Sequence, residues 1–400
     1  MAAKECGESM RSSLAGHKPV LAIELGSTKV ACALGQPTDG GMAFLGCGLV
    51  TLPAGATLWS AEPGLVTRWL EQALDEITAR CPLERAIVAL THPELSHHTI
   101  TAHVDLADEP VTIQRRHLKR LATQAIAQGL PIDRDVLLLE AQGYTGNGFQ
   151  QVQDPHGLLA TRLLATFQLV AVPLAVRRAA IQALESVGIE TEQLVYGLKA
   201  TAAACLQDDA TSPPTLLIDV GARCLDAGMI EHGCVRQSLT IPWGIDRVAE
   251  EIATQCRMTM DAARRASWQG RSSNQPQVRQ LVEQQLDALH GPLDSLVSAH
   301  ARPDLVVVTG RGALLDGFVE WLQDTLGIPV HLGRGHRLHQ MGDLARQVGL
   351  TTVVGLLEIA SHTSWDRHLQ RQTFQSTSAR SSNLVDRVLE HTKRMLVEYF

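Results

Sequence analysis

Three short stretches of this chain carry residue types suited to holding a phosphorylated ligand. In Glu24-Leu25-Gly26-Ser27-Thr28-Lys29 a glycine turn is followed by two hydroxyls and an ammonium group. Glycine there lets backbone N–H groups approach an anion with no Cβ in the way, and Ser27, Thr28 and Lys29 add donors. Asp219-Val220-Gly221 offers the same acid-and-glycine geometry far downstream. Glu24 and Asp219 can hold Mg²⁺ through water, the way this cation is usually kept. The third stretch, Thr309-Gly310-Arg311-Gly312, follows an apolar run and suits a close pass beside an adenosine. Each stretch alone has a plainer reading, as a hairpin or a strand-to-helix turn. The ordered set of three carries the nucleotide reading.

The elements that must position these residues are legible as patterns. Residues 20–34 read as a hairpin about Gly26-Ser27-Thr28, and residues 215–220 and 226–231 repeat it, followed by a run at 235–241. Helical spacing predicts helices over 64–80, 174–187, 200–207, 246–257, 259–268, 277–300 and 315–326. Two strand-turn-strand units so far apart imply a duplication, with two α/β lobes facing a cleft. Between them the texture changes: residues 92–166 hold His-rich and Pro-containing turns, a helix over 112–127 and strand-like runs at 135–140 and 158–164. This reads as an inserted module, with 167–172 resuming the first lobe as a buried strand.

Composition narrows the function classes. The 400 residues suffice for several domains, and 35 Lys plus Arg against 42 Asp plus Glu, a net charge of -7, exclude a generally basic nucleic-acid binder. Six Phe, six Trp and three Tyr leave the core to Leu, Val, Ile and Ala, as in α/β proteins. The eight cysteines form no CxxC pair and lack histidines at ligand spacing, so they read as reduced thiols of a cytosolic protein. His92, His97, His98 and His103 show no ligand motif and are expected to be surface or turn residues. Residues 1–18 read as a disordered N-terminus without a secretory signal, and no apolar run approaches the ~20 residues of a membrane span.

Residues 366–383, rich in Ser, Gln and Arg, read as a flexible linker. Residues 384–400 then form an amphipathic helix with Leu384, Val385, Val388, Leu389, Met395, Leu396, Tyr399 and Phe400 on its apolar side. Its acidic and basic side chains balance, whereas membrane-surface helices are usually basic on the polar face. Binding to a membrane and docking on a protein surface are both open at this point.

The motifs and their order resemble those of the actin-like ATPases, and within them the bacterial cell-division FtsA family, over residues 20–400. Residues 21–30 look like that family's first phosphate motif, 219–226 its second and 304–317 its adenosine motif. Residues 140–206, with Asp154-Pro155-His156-Gly157-Leu158 and Glu185-Ser186-Val187-Gly188-Ile189, are similar to the end of the FtsA inserted subdomain and its return to the first lobe. Actin lacks that subdomain. The resemblance implies a two-lobed actin-like (ribonuclease H-like, duplicated) α/β fold with an inserted α+β subdomain and a tethered C-terminal amphipathic helix. The first lobe would comprise 19–91 and 167–198, the insert 92–166, and the second lobe 199–365 with a shortened upper subdomain.

It further implies ATP and Mg²⁺ as cofactors. Gly26, Ser27, Thr28, Lys29, Gly221 and Arg223 would contact phosphate, Gly310, Arg311 and Gly312 would flank adenosine, and Glu24 and Asp219 would organise magnesium. The implied role is a peripheral protein on the cytoplasmic face of the bacterial inner membrane. There it would self-associate, bind lipid and other division proteins, and tether the ring of the tubulin-like FtsZ. No nucleic-acid partner is implied.

Three departures stand out. Ala222, Arg223 and Cys224 follow Gly221 where the family has Gly-Gly-Thr, and a non-glycine residue at positive φ would cost about 1 kcal/mol or more. Arg311 stands where a second glycine is usual. Residues 269–274 replace a longer, strand-containing stretch. The two arginines either grip a nucleotide or fill a pocket that no longer binds one, and efficient hydrolysis is not expected in either case. The alternatives are a nucleotide-free scaffold at the membrane and a module like the type IV pilus assembly protein PilM.

Overall fold

The computed structural model describes residues 18–38, 41–77, 83–206, 212–299, 302–335 and 343–362. The linker and amphipathic helix expected over 366–400, and nearly all of the expected N-terminal tail, lie outside these residues.

Strand β1 (Val20–Leu25) is buried along its length because both faces of its sheet are covered, with Leu21, Ile23 and Leu25 in one core and Val20 and Ala22 in another. Its turn leads into antiparallel β2 (Lys29–Thr38), with Leu25 opposite Val30, and β3 (Gly41–Thr51) extends the sheet beyond. Helix α1 (Pro63–Asp75) starts on a proline, whose missing N–H costs nothing in a first turn, and buries Val66, Trp69, Leu70 and Ala73 at helical spacing. Strand β4 (Arg85–Leu90) then runs parallel to β1 on its other side.

The insert follows as β5 (Ser96–Asp105), β6 (Val111–Thr112), α2 (Arg115–Gly129), β7 (Arg134–Gly146), β8 (Phe149–Val152), β9 (Leu159–Ala160) and β10 (Arg162–Pro173). Its sheet, in the order β5-β10-β7-β8, has a core of its own, in which Ala102, Val104 and Leu163 meet Leu118, Leu121 and Ile126. The boundary expected at 166/167 falls inside β10, which pairs with β5 on one side and β7 on the other along that stretch. Residues 167–172 therefore belong to the insert. They read as a separate buried strand because β10 is central in its sheet and its Val170 and Val172 also join the first-lobe core.

The chain returns through α3 (Leu174–Glu185), β11 (Glu190–Tyr196) and α4 (Gly197–Cys205), then builds β12 (Thr215–Val220), β13 (Leu225–Glu231) and β14 (Cys234–Ile241). Helices α5 (Ile245–Gln255), α6 (Met260–Trp268), α7 (Pro276–Asp287) and α8 (His290–Ser298) precede β15 (Leu305–Thr309), α9 (Phe318–Leu326), β16 (Val330–Leu332) and α10 (Leu344–His362). The sheet orders β3-β2-β1-β4-β11 and β14-β13-β12-β15-β16 are the same topology used twice. The single helix expected over 277–300 is two helices, and the stretch from 269 to 275 holds one 3-10 turn and no strand. The helix expected from 315 starts at Phe318, after a 3-10 turn over Arg311–Leu314.

Helix α10 corrects the expected second lobe. It packs on the first-lobe sheet, where Leu350, Val353, Val354, Leu356 and Leu357 form one core with Ala22, Ala33 and Ile87. It crosses α4 so closely that a Cβ at Gly355 would lie 1.7 Å from the Ala200 carbonyl oxygen. Among the described residues no helix is long and apolar enough to cross a membrane, and no disulfide is formed.

Candidate functional site

The two glycine hairpins face each other across one cleft. Gly26 N–H donates to the Lys29 carbonyl at 3.1 Å, and Gly221 N–H donates to the Cys224 carbonyl at 2.9 Å, so both turns close in the same way. The second turn is braced by α5, whose Asp246 N–H donates to the Ala222 carbonyl at 2.9 Å. A Cβ at Gly244 would sit 2.4 Å from that oxygen. The strain expected at Ala222, Arg223 and Cys224 is absent, because none of the three has a positive φ. Cys224 lines the cleft, while Arg223 does not and is ion-paired with Glu250.

Lys29 is the pivot of the first turn. Its Nζ stands 2.9 Å from Glu24 Oε2 and donates to the Gly349 carbonyl of α10 at 2.7 Å. Asp219 accepts from the Thr201 hydroxyl at 2.9 Å, and that hydroxyl is 3.2 Å from Thr352, which is bonded to Glu24. Helices α4 and α10 thus join the two acids through a pair of threonines. Burial pushes both carboxyls up, and Lys29 works against that shift at each.

Two desolvated carboxylates share one ammonium, which leaves local room for a further positive charge. The donor set of two carboxylates with nearby hydroxyls fits Mg²⁺, which keeps most of its waters. Among the described residues there is no group of three or more His, Cys, Asp or Glu able to cage a metal. A cation here would therefore be completed by water and by the oxygens of its ligand.

Gly310 has φ +81°, and a Cβ on it would meet Asp219 Oδ1 at 2.4 Å and the Val220 carbonyl at 2.5 Å, so glycine alone fits. Gly312 leaves space for Val220 and packs on β12 rather than lining the cleft. Arg311 spans the cleft from the second lobe, its Nη1 donating to Thr51 Oγ1 of β3 at 2.8 Å.

Residues not read from sequence complete the walls. Arg264 of α6 is clamped by both oxygens of Asp246, at 2.8 and 3.0 Å, and Trp268 lies one turn further on. Asp226 of β13 also lines the cleft, and burial pushes its carboxyl up to about 7. Their signal in the sequence is only helical and cross-strand spacing, because each joins the lining of the cleft through the tertiary fold.

Comparison with known proteins agrees with this architecture. Residues 93–171 match a family model described as the SHS2 domain inserted in FtsA, a span that ends within β10 rather than before it. The cell division protein FtsA of Pseudomonas aeruginosa is 25% identical over 382 residues, covering 86% of this chain and 90% of that protein. FtsA of Escherichia coli K12 is 21% identical over 405 residues, covering 91% and 96%.

Among solved structures, the PilM-PilN type IV pilus biogenesis complex aligns with a TM-score of 0.64 at 15% identity, over 84% of this chain and 97% of that one. MreB 5 of Spiroplasma citri bound to AMPPNP aligns with a TM-score of 0.51 at 11% identity, over 88% and 98%. The fold is the two-lobed actin-like fold, and the chain is similar to FtsA along most of its length.

Proposed function

We propose that this chain is an FtsA-like cell-division protein that takes a magnesium-bound nucleoside triphosphate between its lobes, self-associates, and tethers an FtsZ-like polymer to the inner membrane. The observation that carries this reading is the convergence of two glycine hairpins on Lys29 and two buried carboxylates, in a chain whose insert matches the FtsA SHS2 domain. Gly26, Ser27, Thr28, Lys29 and Gly221 face the phosphates in it, Gly310 and Arg311 the nucleoside, and Glu24 and Asp219 the hydrated magnesium. Arg223, held by Glu250, takes no part. The relative MreB 5, bound to AMPPNP, supports the ligand class.

The bond from Arg311 to Thr51 favours a second reading, a scaffold whose cleft is latched shut. Titration with a fluorescent ATP analogue and Mg²⁺ separates the two. Micromolar binding, about -8 kcal/mol, is expected for the unaltered protein, with weakening in Arg311→Gly. No binding by the unaltered protein, with binding gained in the variant, would establish the latched scaffold instead.

The membrane step rests on residues 384–400. Because their side-chain charges balance, attachment is expected to come from apolar burial and to resist high salt. Leu389→Glu with Leu396→Glu should release the protein from anionic liposomes, and unchanged co-sedimentation would refute the anchor. Capture by an FtsZ-like tail rather than by a pilus-protein peptide distinguishes division from pilus assembly.

A further inference from the structure

The insert and the cleft are joined by a continuous polar path. It starts at Asp226, which is 2% exposed and lines the cleft. Its Oδ1 accepts from the Tyr196 hydroxyl at 3.4 Å and from the Thr240 hydroxyl. Thr240 Oγ1 is 2.9 Å from His97 Nε2, and His97 Nδ1 is 2.8 Å from Ser238 Oγ. Ser238 in turn accepts from Gln168 Nε2 at 3.3 Å. Asp226, Thr240 and Ser238 belong to the second lobe, whereas His97 on β5 and Gln168 on β10 belong to the insert. The His97 ring also stands edge-on to Tyr196, with centroids 5.9 Å apart. His97 is thus no surface or turn residue.

Counting protons gives the path a direction. Burial pushes His97 down to about 3, so its ring is neutral, with one N–H and one acceptor nitrogen. In the ionised form of Asp226, whose carboxyl burial lifts to about 7, the single proton of Thr240 goes to Asp226, so Thr240 must accept from His97 Nε2–H. Nδ1 then accepts the Ser238 proton, and Ser238 accepts from Gln168. Along this path each hydroxyl proton has an acceptor, and the Tyr196 and Thr240 hydroxyls both engage Asp226 Oδ1.

Separate contacts hold the insert in place without reaching the cleft carboxylates. Glu140 accepts from Val235 N–H at 2.6 Å, and Gln142 donates to the Arg236 carbonyl at 2.6 Å.

We propose that His97 is a positioning residue for the cleft: acting through Thr240 it fixes Asp226, so that events at the cleft and the seating of the insert on the second lobe are coupled. The ligand in this inference, a magnesium-bound nucleoside triphosphate, rests on the proposed function. The coupling itself does not.

The test uses the full chain and the variants Asp226→Asn, His97→Leu, His97→Gln and the double variant Asp226→Asn with His97→Leu. Glutamine keeps one donor and one acceptor, while leucine keeps neither. In hydrogen exchange without ligand, Asp226→Asn is expected to speed exchange of β5 amides 96–101 about tenfold and to leave α2 unchanged. His97→Leu should do the same at 225–228, His97→Gln should stay within about twofold, and the double variant should exceed neither single one. Changes confined to the substituted strand, or additive effects in the double variant, would overturn the coupling.

Titration with the fluorescent ATP analogue and Mg²⁺ supplies the second readout. His97→Leu is expected to bind about tenfold more weakly, with His97→Gln restoring affinity. Unaltered protein that shows the exchange coupling but binds no analogue would sink the nucleotide reading and leave the coupling standing. Binding that His97→Leu does not change would sink the coupling and leave the nucleotide reading.

Discussion

Lys29→Met is expected to destabilise the protein by about 3 kcal/mol or more near pH 8, and by clearly less near pH 5. The lysine stands 2.9 Å from Glu24, which is 3% exposed, and is the main charge opposing the upward shift of Asp219. Without it two buried carboxylates lose the cation that opposes the effect of burial at both. Both carboxyls already have folded pKa values raised by burial, and loss of the lysine raises them further.

For an acid raised in this way, the unfolded chain releases its proton first as pH climbs. The folded state is therefore increasingly penalised between the unfolded and the folded pKa, and the penalty fades toward acid pH. Denaturant melts at the two pH values check the sign. Glu24→Gln in the Lys29→Met background should recover most of the loss. An equal loss at both pH values, unrepaired by glutamine, would show that Lys29 acts through packing alone.

That ion cluster was legible in the sequence only in part. The two hairpins were, because strands flanked by acid-glycine turns are local patterns, and Glu24, Lys29 and Asp219 sit on them. Helix α10, which supplies Gly349 to Lys29 and Thr352 to Glu24, was not. Its run Val348-Gly349-Leu350-Thr351-Thr352-Val353-Val354 is buried nearly all round, being sandwiched between the first-lobe sheet and α4, so it shows no alternation of apolar and charged residues at helical spacing.

The family resemblance places Arg223 at phosphate. In the folded turn it is ion-paired with Glu250, a partner twenty-seven residues on that no turn pattern reveals. His97 looks ordinary in the sequence for a related reason. A histidine's role here depends on Ser238 and Thr240, which reach it only when the insert sits on the second lobe.

The same helix pair gives the second large effect, in which two physical terms have opposite signs. In an isolated helix Gly355→Ala would stabilise by about 0.5–1 kcal/mol, since alanine has less backbone entropy to lose. In α10 the added Cβ would lie 1.7 Å from the Ala200 carbonyl oxygen and 2.5 Å from its carbon. Both are backbone atoms, so no side chain can swing aside and the helices must part. Overpacking of this kind costs about 1–3 kcal/mol, and at so short a distance the upper end applies, so a net loss of about 2 kcal/mol is expected.

Separation would also pull Thr352 from Thr201, which sit next to the crossing and join Glu24 to Asp219, so any nucleotide affinity should fall together with stability. Gly291→Ala in α8, with nothing within 4 Å of its new Cβ, is the matched control and should raise stability by a few tenths of a kcal/mol. If both variants melt at or above the unaltered protein, helix propensity dominates and α4 and α10 do not meet as described. If only Gly355→Ala melts lower and loses ligand affinity, the crossing of these two helices is what holds the cleft acids in register.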